Sequence, residues 1–234
     1  MPHPASAAAA PRPDIATPHV AELWRYPVKS LRGERLAVAD LTERGIPGDR
    51  VVHVRAPGGR VVTSRTRPRL LGLQGSLDAD GEPRVDGVRW DQEAARTAIE
   101  AAAGAGVELV RDEGLDRFDI LPLSVLTDGA IAQLGVDHRR LRPNILLGGV
   151  EGLAERDWPG RRLRIGEVVI GVAKLRSRCV MTTYDPDTQV QDLSVLRRIA
   201  SEFGGRMALD CDVLRGGRIA VGDPVELLAE TAEV

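Results

Sequence analysis

The chain has 234 residues, 43% of them hydrophobic and 28% charged, with a formal net charge of −2. That length buries a core as one large domain or two small ones, and the balance excludes disordered and collagen-like chains. No apolar run approaches the roughly 20 residues of a membrane-spanning helix, the charge is not that of a basic nucleic-acid binder, and aromatics at 3% offer no platform for stacking bases. Two cysteines, Cys179 and Cys211, make no disulfide framework and fit a reducing compartment.

Residues 1–18, an alanine run between prolines, read as a disordered tail. They lack the basic start and unbroken apolar stretch of a signal peptide, so a cytoplasmic location is expected. Val20–Tyr26, Leu36–Leu41 and Arg50–Val54 read as short strands between Gly33, Gly45, Pro47 and Gly48. Gly58-Gly59 joins Val54 to Val61-Val62 as a hairpin does. Gln92–Ala103, with Trp90, Ala94, Ala98 and Ile99 near one face, predicts a helix that stops at Gly104. Val107–Val110 returns to strand character. Leu126–Leu134 predicts a second helix, capped by Thr127 or Asp128 and closed by Gly135. Asn144–Leu147 reads as a buried strand, and Gly166-Glu167 as the turn of a hairpin between Leu163–Ile165 and Val168–Val172. Leu193, Leu196, Ile199, Ala200 and Phe203 place a third helix at Ser194–Phe203. Met207, Leu209, Cys211 and Val213 alternate as one face of a strand, and Gly216-Gly217 and Gly222-Asp223 turn into Ile219–Val221 and Val225–Leu228. The fold expected is mainly β with added helices (α+β), a β-barrel with a smaller N-terminal β-rich domain. The domains expected are 19–113 and 114–228, with 229–234 as a C-terminal tail.

Chemistry concentrates in a few segments. Arg176 and Arg178 flank Cys179 in sequence, and neighbouring cations favour the thiolate that binds soft metals or attacks as a nucleophile. The same pattern also describes a small buried thiol whose arginines face solvent. Cys211, between Leu209 and Val213, reads as core. Arg142-Pro143-Asn144 sets a guanidinium and a carboxamide around a fixed backbone, fit to grip an anionic or heterocyclic ligand. Lys29, one of only two lysines, stands beside Ser30, a pairing suited to a phosphate oxygen. From Arg50 to Leu77 there are six arginines and no acidic residue, which makes an anion pocket, a docking face for an acidic electron-transfer partner, or a solvated surface. Dinucleotide, Walker, Cys-x-x-Cys, His-Glu-x-x-His and Gly-x-Ser-x-Gly motifs are absent, and the four histidines are scattered.

Together these segments resemble the MOSC superfamily, named after the C-terminal domain of molybdenum cofactor sulfurase, and most of all its mitochondrial amidoxime-reducing component branch. Tyr26-Pro-Val-Lys-Ser30, Gly48-Asp-Arg50 and Thr63-Ser-Arg-Thr-Arg-Pro-Arg-Leu70 resemble the family's N-terminal β-barrel part. Arg142-Pro-Asn144, Ser177-Arg-Cys179, Thr182-Thr183, Asp185-Pro-Asp-Thr188 and Val221-Gly-Asp-Pro224 resemble its MOSC domain. The resemblance implies a molybdenum cofactor (molybdopterin with molybdenum), ligated and used in catalysis through Cys179. It implies cofactor contacts from Lys29, Ser30, Arg50, Arg142, Asn144, Ser177 and Arg178, with Asp119 and Thr127 in neighbourhoods that often contribute. The activity implied is reduction of N-oxygenated, N-hydroxylated small molecules. Electrons are expected from a separate donor protein, ferredoxin-like or a b-type cytochrome with a flavoprotein reductase, because no ferredoxin-like domain follows Leu228. Pyridoxal phosphate binding is a further association of the family. Two rival readings stand beside this one: a sulfur carrier with a Cys179 persulfide, and a non-catalytic anion-binding barrel. Two departures are visible. Met207-Ala-Leu-Asp210 stands where the family often has Phe-Gly-x-Tyr or Phe-Gly-x-Asn, and Gln189 stands where glycine is common.

Overall fold

The computed structural model describes residues 17–229; apart from Thr17, Pro18 and Ala229, the expected tails lie outside them. The chain opens with β1 (His19–Arg25), β2 (Glu34–Leu36) and β3 (Val38–Leu41). A smaller body follows, made of β4 (Val52–Arg55), β5 (Val61–Val62), β6 (Gly75–Leu77), β7 (Pro83–Val85), β8 (Val88–Arg89), α1 (Glu93–Ala103) and β9 (Glu108–Arg111). The rest comprises β10 (Leu123–Thr127), α2 (Asp128–Leu134), β11 (Ile145–Gly148), β12 (Arg162–Ile165), β13 (Val168–Ser177), α3 (Leu193–Phe203), β14 (Arg206–Arg215), β15 (Gly217–Ala220) and β16 (Val225–Leu228). The fold is α+β, mostly strands with three α-helices among the described residues.

Eight strands form one mixed sheet in the order β16-β12-β13-β14-β10-β11-β1-β2, and β15 pairs with β3 beside it. Apolar side chains from β1, β3, β10 through β16 and Ile46 converge in a single buried cluster, as the interior of a barrel does. Backbone hydrogen bonds from Val20 to Asp223 and from Gly222 to Val20 tie β1 to the approach to β16. On the outside of β10, β11 and β14, α2 and α3 bury Ala130, Leu134, Val195, Ile199 and Phe203 against Leu126, Leu146 and Met207. At about 1.5–3 kcal/mol per fully buried aliphatic side chain, this face holds both helices, and a charge at Ile199, which is fully buried, would detach α3. A third cluster, from Val28 to Val107, lies under α1 in the smaller body.

The local signals translate directly in several places. Gly166-Glu167 turns β12 into β13 with Ile165 opposite Val168, and Val54 pairs with Val62 across the Gly58-Gly59 loop. Asp192 caps α3 through the Ser194 amide, and Gly204, at φ 61°, ends it.

Three expectations are corrected. The second helix starts at Asp128, because Leu126 and Thr127 are hydrogen-bonded into β10 against Leu146 and Leu147 of β11. Leu36–Leu41 is two strands, since β2 pairs with β1 while β3 pairs with β15. Met207 does not share a face with Leu209, Cys211 and Val213: Ala208 sits at φ 68° in a bulge opposite β13, which turns Met207 toward the helices. The two stretches divided at Gly114 also interleave in space. β1, β2 and β3 complete the sheets of the second half, and only the chain from about Val28 to Leu109 packs around the smaller core.

Candidate cofactor site

A cavity of about 370 Å³ lies where the smaller body meets the large sheet. Six stretches of chain reach it, at Lys29-Ser30, Arg50, Thr63–Arg65, Asp119-Ile120, Arg140–Arg142 and Arg176–Met181. Of six non-glycine residues with positive φ among the described residues, three line this cavity: Ser30 at 75°, Arg50 at 57° and Arg142 at 52°. Such conformations are costly outside glycine and persist where surrounding contacts over-determine them, typically at ligand sites.

The contacts that fix them are specific. After β1, the Lys29 amide donates to Val52 O, and the Ser30 hydroxyl accepts from the Ser64 amide at 3.0 Å. Asp49 is fully buried; it accepts from the Tyr26 amide at 2.7 Å and from Asn144 Nδ2 at 3.2 Å, and pairs with Arg50. The 3₁₀ turn His138–Leu141 delivers Arg142, and Pro143 locks the next step. β13 ends at Ser177, and Arg178 and Cys179 follow it, the Arg178 amide donating to Gly205 O. The guanidinium groups of Arg142 and Arg50 lie 4.2 and 4.9 Å from the Tyr26 ring centroid. Tyr26 donates its hydroxyl to Pro143 O, and burial pushes its pKa up to about 12, so it stays neutral.

Seven cations line the cavity (Lys29, Arg50, Arg65, Arg140, Arg142, Arg176 and Arg178) against one carboxylate, Asp119. Five have carboxylate partners. Lys29 and Arg65 share Asp119 at 2.8 and 2.7 Å, Arg50 has Asp49, Arg140 has Asp185 at 3.1 Å, and Arg176 has the buried Asp210. Burial works to raise the Asp119 carboxyl, but Lys29, Arg65 and Arg50 outweigh it and hold it low, hence ionised. Burial likewise works against the charge of Arg65, while Asp119 and the nearby Cys179 raise its pKa above the usual value. Arg142 and Arg178 have no carboxylate partner among the described residues, and burial depresses their pKa values to about 10 and about 9.

Arg178 is the most telling of these. Its Nη2 donates to Leu141 O at 2.7 Å, but its Nε and Nη1 are buried without a partner. A buried donor left unpaired costs about 1–3 kcal/mol, which an anionic ligand's oxygens would relieve. Cys179 lines the same cavity and is half-buried. Among the described residues no group of three or more His, Cys, Asp or Glu is placed to hold a metal ion. Cys179 would offer a metal a sulfur ligand, and the surrounding cations would hold the charge of a ligand that came with that metal. A soft metal carried by an anionic, thiolate-rich organic ligand fits both demands.

Eight of the expected site residues meet here: Cys179, Lys29, Ser30, Arg50, Asp119, Arg142, Ser177 and Arg178. Two stand outside the lining. Thr127 is fully buried; its hydroxyl caps α2 through the Ala130 amide and donates to Glu155. Asn144 is also buried, with Oδ1 accepting from the Ser124 amide and Nδ2 donating to Trp24 O and Asp49. Asn144 thus braces the Asp49–Arg50 pair rather than touching the cavity. The sequence reading named Arg176 as a flank of Cys179 and placed Arg65 in the basic stretch, but the family resemblance assigned neither to the cofactor; both line the cavity.

The sequence matches the MOSC domain model over residues 125–226 and the MOSC N-terminal beta barrel domain model over residues 17–120. The chain belongs to the MOSC family. It is 27% identical to mitochondrial amidoxime-reducing component 1 of Homo sapiens, across 90% of this chain and 83% of that protein. To mitochondrial amidoxime reducing component 2 of Homo sapiens it is 26% identical, across 88% and 82%. Solved structures similar to it include the YuaD protein from Bacillus subtilis, at 15% identity, TM-score 0.49, and coverage of 90% of this chain and 95% of that one. YiiM from Escherichia coli is similar at 21% identity and TM-score 0.35, over 49% and 58%.

Both departures from the MOSC pattern have a backbone consequence. Ala208 and Gln189 occupy positions where the family often has glycine, and both sit at positive φ, 68° and 57°. Asp210, where the pattern has Tyr or Asn, is fully buried and holds the cavity-lining Arg176. The Asp185-Pro-Asp-Thr188 motif acts at one remove too. Asp185 Oδ1 accepts from the amides of Asp187 and Thr188, while Oδ2 pairs with Arg140.

Proposed function

We propose that this MOSC protein is an oxidoreductase that binds a molybdenum cofactor through Cys179 and reduces N-hydroxylated small molecules with electrons from a separate donor protein. The observation that carries the reading is one thiol in a cation-walled cavity whose Arg178 keeps two buried N–H groups without acceptors. The names of the relatives, amidoxime-reducing components, support the substrate class. Lys29, Ser30, Arg50, Arg142, Ser177 and Arg178 would hold the cofactor's phosphate and heterocycle, and Cys179 the metal. Asp119 holds Lys29 and Arg65 in place. When bound, the group supplies the two-electron redox chemistry, while the protein supplies ligation, orientation and access. Arg65 lines the cavity, and Arg60, Arg67 and Arg69 of the same acid-free stretch are exposed, charges to which an acidic donor would be drawn. No helix among the described residues is long and apolar enough to cross a membrane.

The test is molybdenum and pterin analysis of protein made in a cofactor-competent host, then reduction of an N-hydroxylated compound with an artificial donor. Stoichiometric molybdenum and an activity lost in Cys179→Ala support the reading. Absence of molybdenum, with cyanide-releasable sulfur on Cys179, would replace it with the sulfur-carrier reading. Anion binding indifferent to Cys179 would replace it with the binding barrel.

A further inference from the structure

A second cavity, of about 160 Å³, adjoins the first and shares Arg140, Arg142 and Met181 with it. Its character differs. Trp24, Tyr26 and Tyr184 line it, three of the seven aromatic residues of the whole sequence and both tyrosines. In a chain with 3% aromatics, that concentration within one small recess is a feature of the site rather than of the composition. Leu71 closes the apolar part. The volume matches a single aromatic ring; an apolar cavity of about 150 Å³ takes up benzene.

The polar side of the recess is cationic, and part of it is unspent. Arg139 is fully engaged by Asp137 and Asp187, and Arg140 by Asp185 and Thr183 O. Arg32 donates Nη2 to Gly72 O at 2.7 Å and has Asp187 Oδ1 4.0 Å from its Nη1, a distant pairing with a carboxylate already held by Arg139; its Nε is buried with no hydrogen-bond partner among the described residues. Arg142 has no carboxylate partner and forms the wall common to both cavities. A ring in this recess therefore meets aromatic and aliphatic walls and two guanidinium groups with capacity to spare. Such a lining favours an arene bearing a carboxylate and disfavours a cationic one.

We propose that this recess is the substrate's ring pocket, and that the preferred substrates are aromatic N-hydroxylated compounds carrying a carboxylate, received by Arg32 and Arg142. This rests on the reductase reading above; the ring pocket as a binding site does not. The N-hydroxy group would then point through the shared wall toward Cys179.

The experiment has a catalytic arm and a binding arm. In the first, kcat/KM is compared for 4-carboxy-N-hydroxybenzamidine and acetamidoxime in wild type, Leu71→Trp and Arg32→Met. Filling the pocket or removing its cation is expected to lower the ratio of the two values by about tenfold or more, the usual scale for a changed pocket contact. In the second, the non-reducible 4-carboxybenzamide is titrated against the purified chain by ligand-observed NMR. Binding should weaken by a similar factor in both variants. Arg32→Met keeps the volume of the side chain, so it answers the question if Leu71→Trp fails to fold. A ratio and an affinity unchanged by either substitution overturn the proposal. So does loss of bound pterin in Leu71→Trp with no change in the ratio, which would give the recess to the cofactor. If neither compound is reduced but binding responds to the variants, the reductase reading fails and the ring pocket stands.

Discussion

The two cysteines of this chain sit in opposite surroundings. Cys211, on β14, faces the barrel interior among Leu123, Val172 and Val213, fully buried, and burial pushes its thiol pKa well up. Cys179 stands just past the end of β13, in a cavity lined by seven cations, Arg65 among them. Apolar walls keep the Cys211 thiol protonated and inert; a half-buried thiol lining an open cavity is within reach of a soft metal. The lesson is that residue type decides little and the field around it decides much. One cysteine is a packing residue, the other a candidate ligand.

The largest effect expected separates them. Cys179→Ala should lower molybdenum content and N-hydroxy reduction by more than about 100-fold, since even outer-shell partners of a metal are worth 10–100-fold. Thermal unfolding of the metal-free chain should barely move. Cys211→Ala should do the reverse, costing about 1–2 kcal/mol of stability through the space it leaves, with metal content intact. Equal behaviour of the two variants would erase the distinction.

Next in size is Arg178→Met. Removing two charge-assisted contacts, each worth about 1.5–3 kcal/mol, should weaken cofactor retention by ~100-fold or more, read as pterin per chain after gel filtration. The cofactor-free protein should lose no stability, because a buried cation without a carboxylate partner is costly to keep. Thr127→Val offers the contrast. It should cost about 1 kcal/mol as a lost helix cap and leave pterin binding alone.

How much of this was legible in the sequence varies with the range of the interaction. Turn glycines, the two-residue hairpin and the helix caps are local, and they were readable. Thr127 is instructive: its capping role followed from neighbours in sequence, whereas resemblance alone had placed it at the cofactor. The pairing of β3 with β15 joins residues some 180 positions apart, and alternation tells which way a side chain points but not which sheet it joins. The same blindness hid the Arg176–Asp210 pair and the gathering of Trp24, Tyr26 and Tyr184, which only the assembled fold brings together. The arginines flanking Cys179 are local and were readable, but they left a buried thiol and a ligand both open; the resemblance proposed the ligand, and the fold puts the thiol in the cation-lined cavity.

A pH experiment sharpens the difference between cavity and packing acids. Glu155 is buried, and burial raises its pKa above the ordinary 4.5. Between 4.5 and that raised value the folded state holds more protons than the unfolded one, so stability falls as pH rises through the window and stays lower above it. Glu155→Gln does not titrate and keeps an acceptor for Thr127. Its stability relative to wild type should therefore be unremarkable near pH 4.5 and increasingly favourable toward neutrality, as urea unfolding at several pH values would show. A wild-type advantage at neutral pH would refute this.

The smallest effects concern the strained backbone. Ala208→Gly and Gln189→Gly relieve residues at φ 68° and 57° and should each raise stability by about 0.5–1 kcal/mol, measured by chemical denaturation. Neither should alter pterin content.

The most direct test of the ligand assignment is X-ray absorption at the molybdenum edge of the loaded protein, comparing wild type with Cys179→Ser. Replacement of one sulfur scatterer by a lighter neighbour in the variant, with Cys211→Ala indistinguishable from wild type, is the predicted result. An identical sulfur shell in Cys179→Ser and wild type would contradict it.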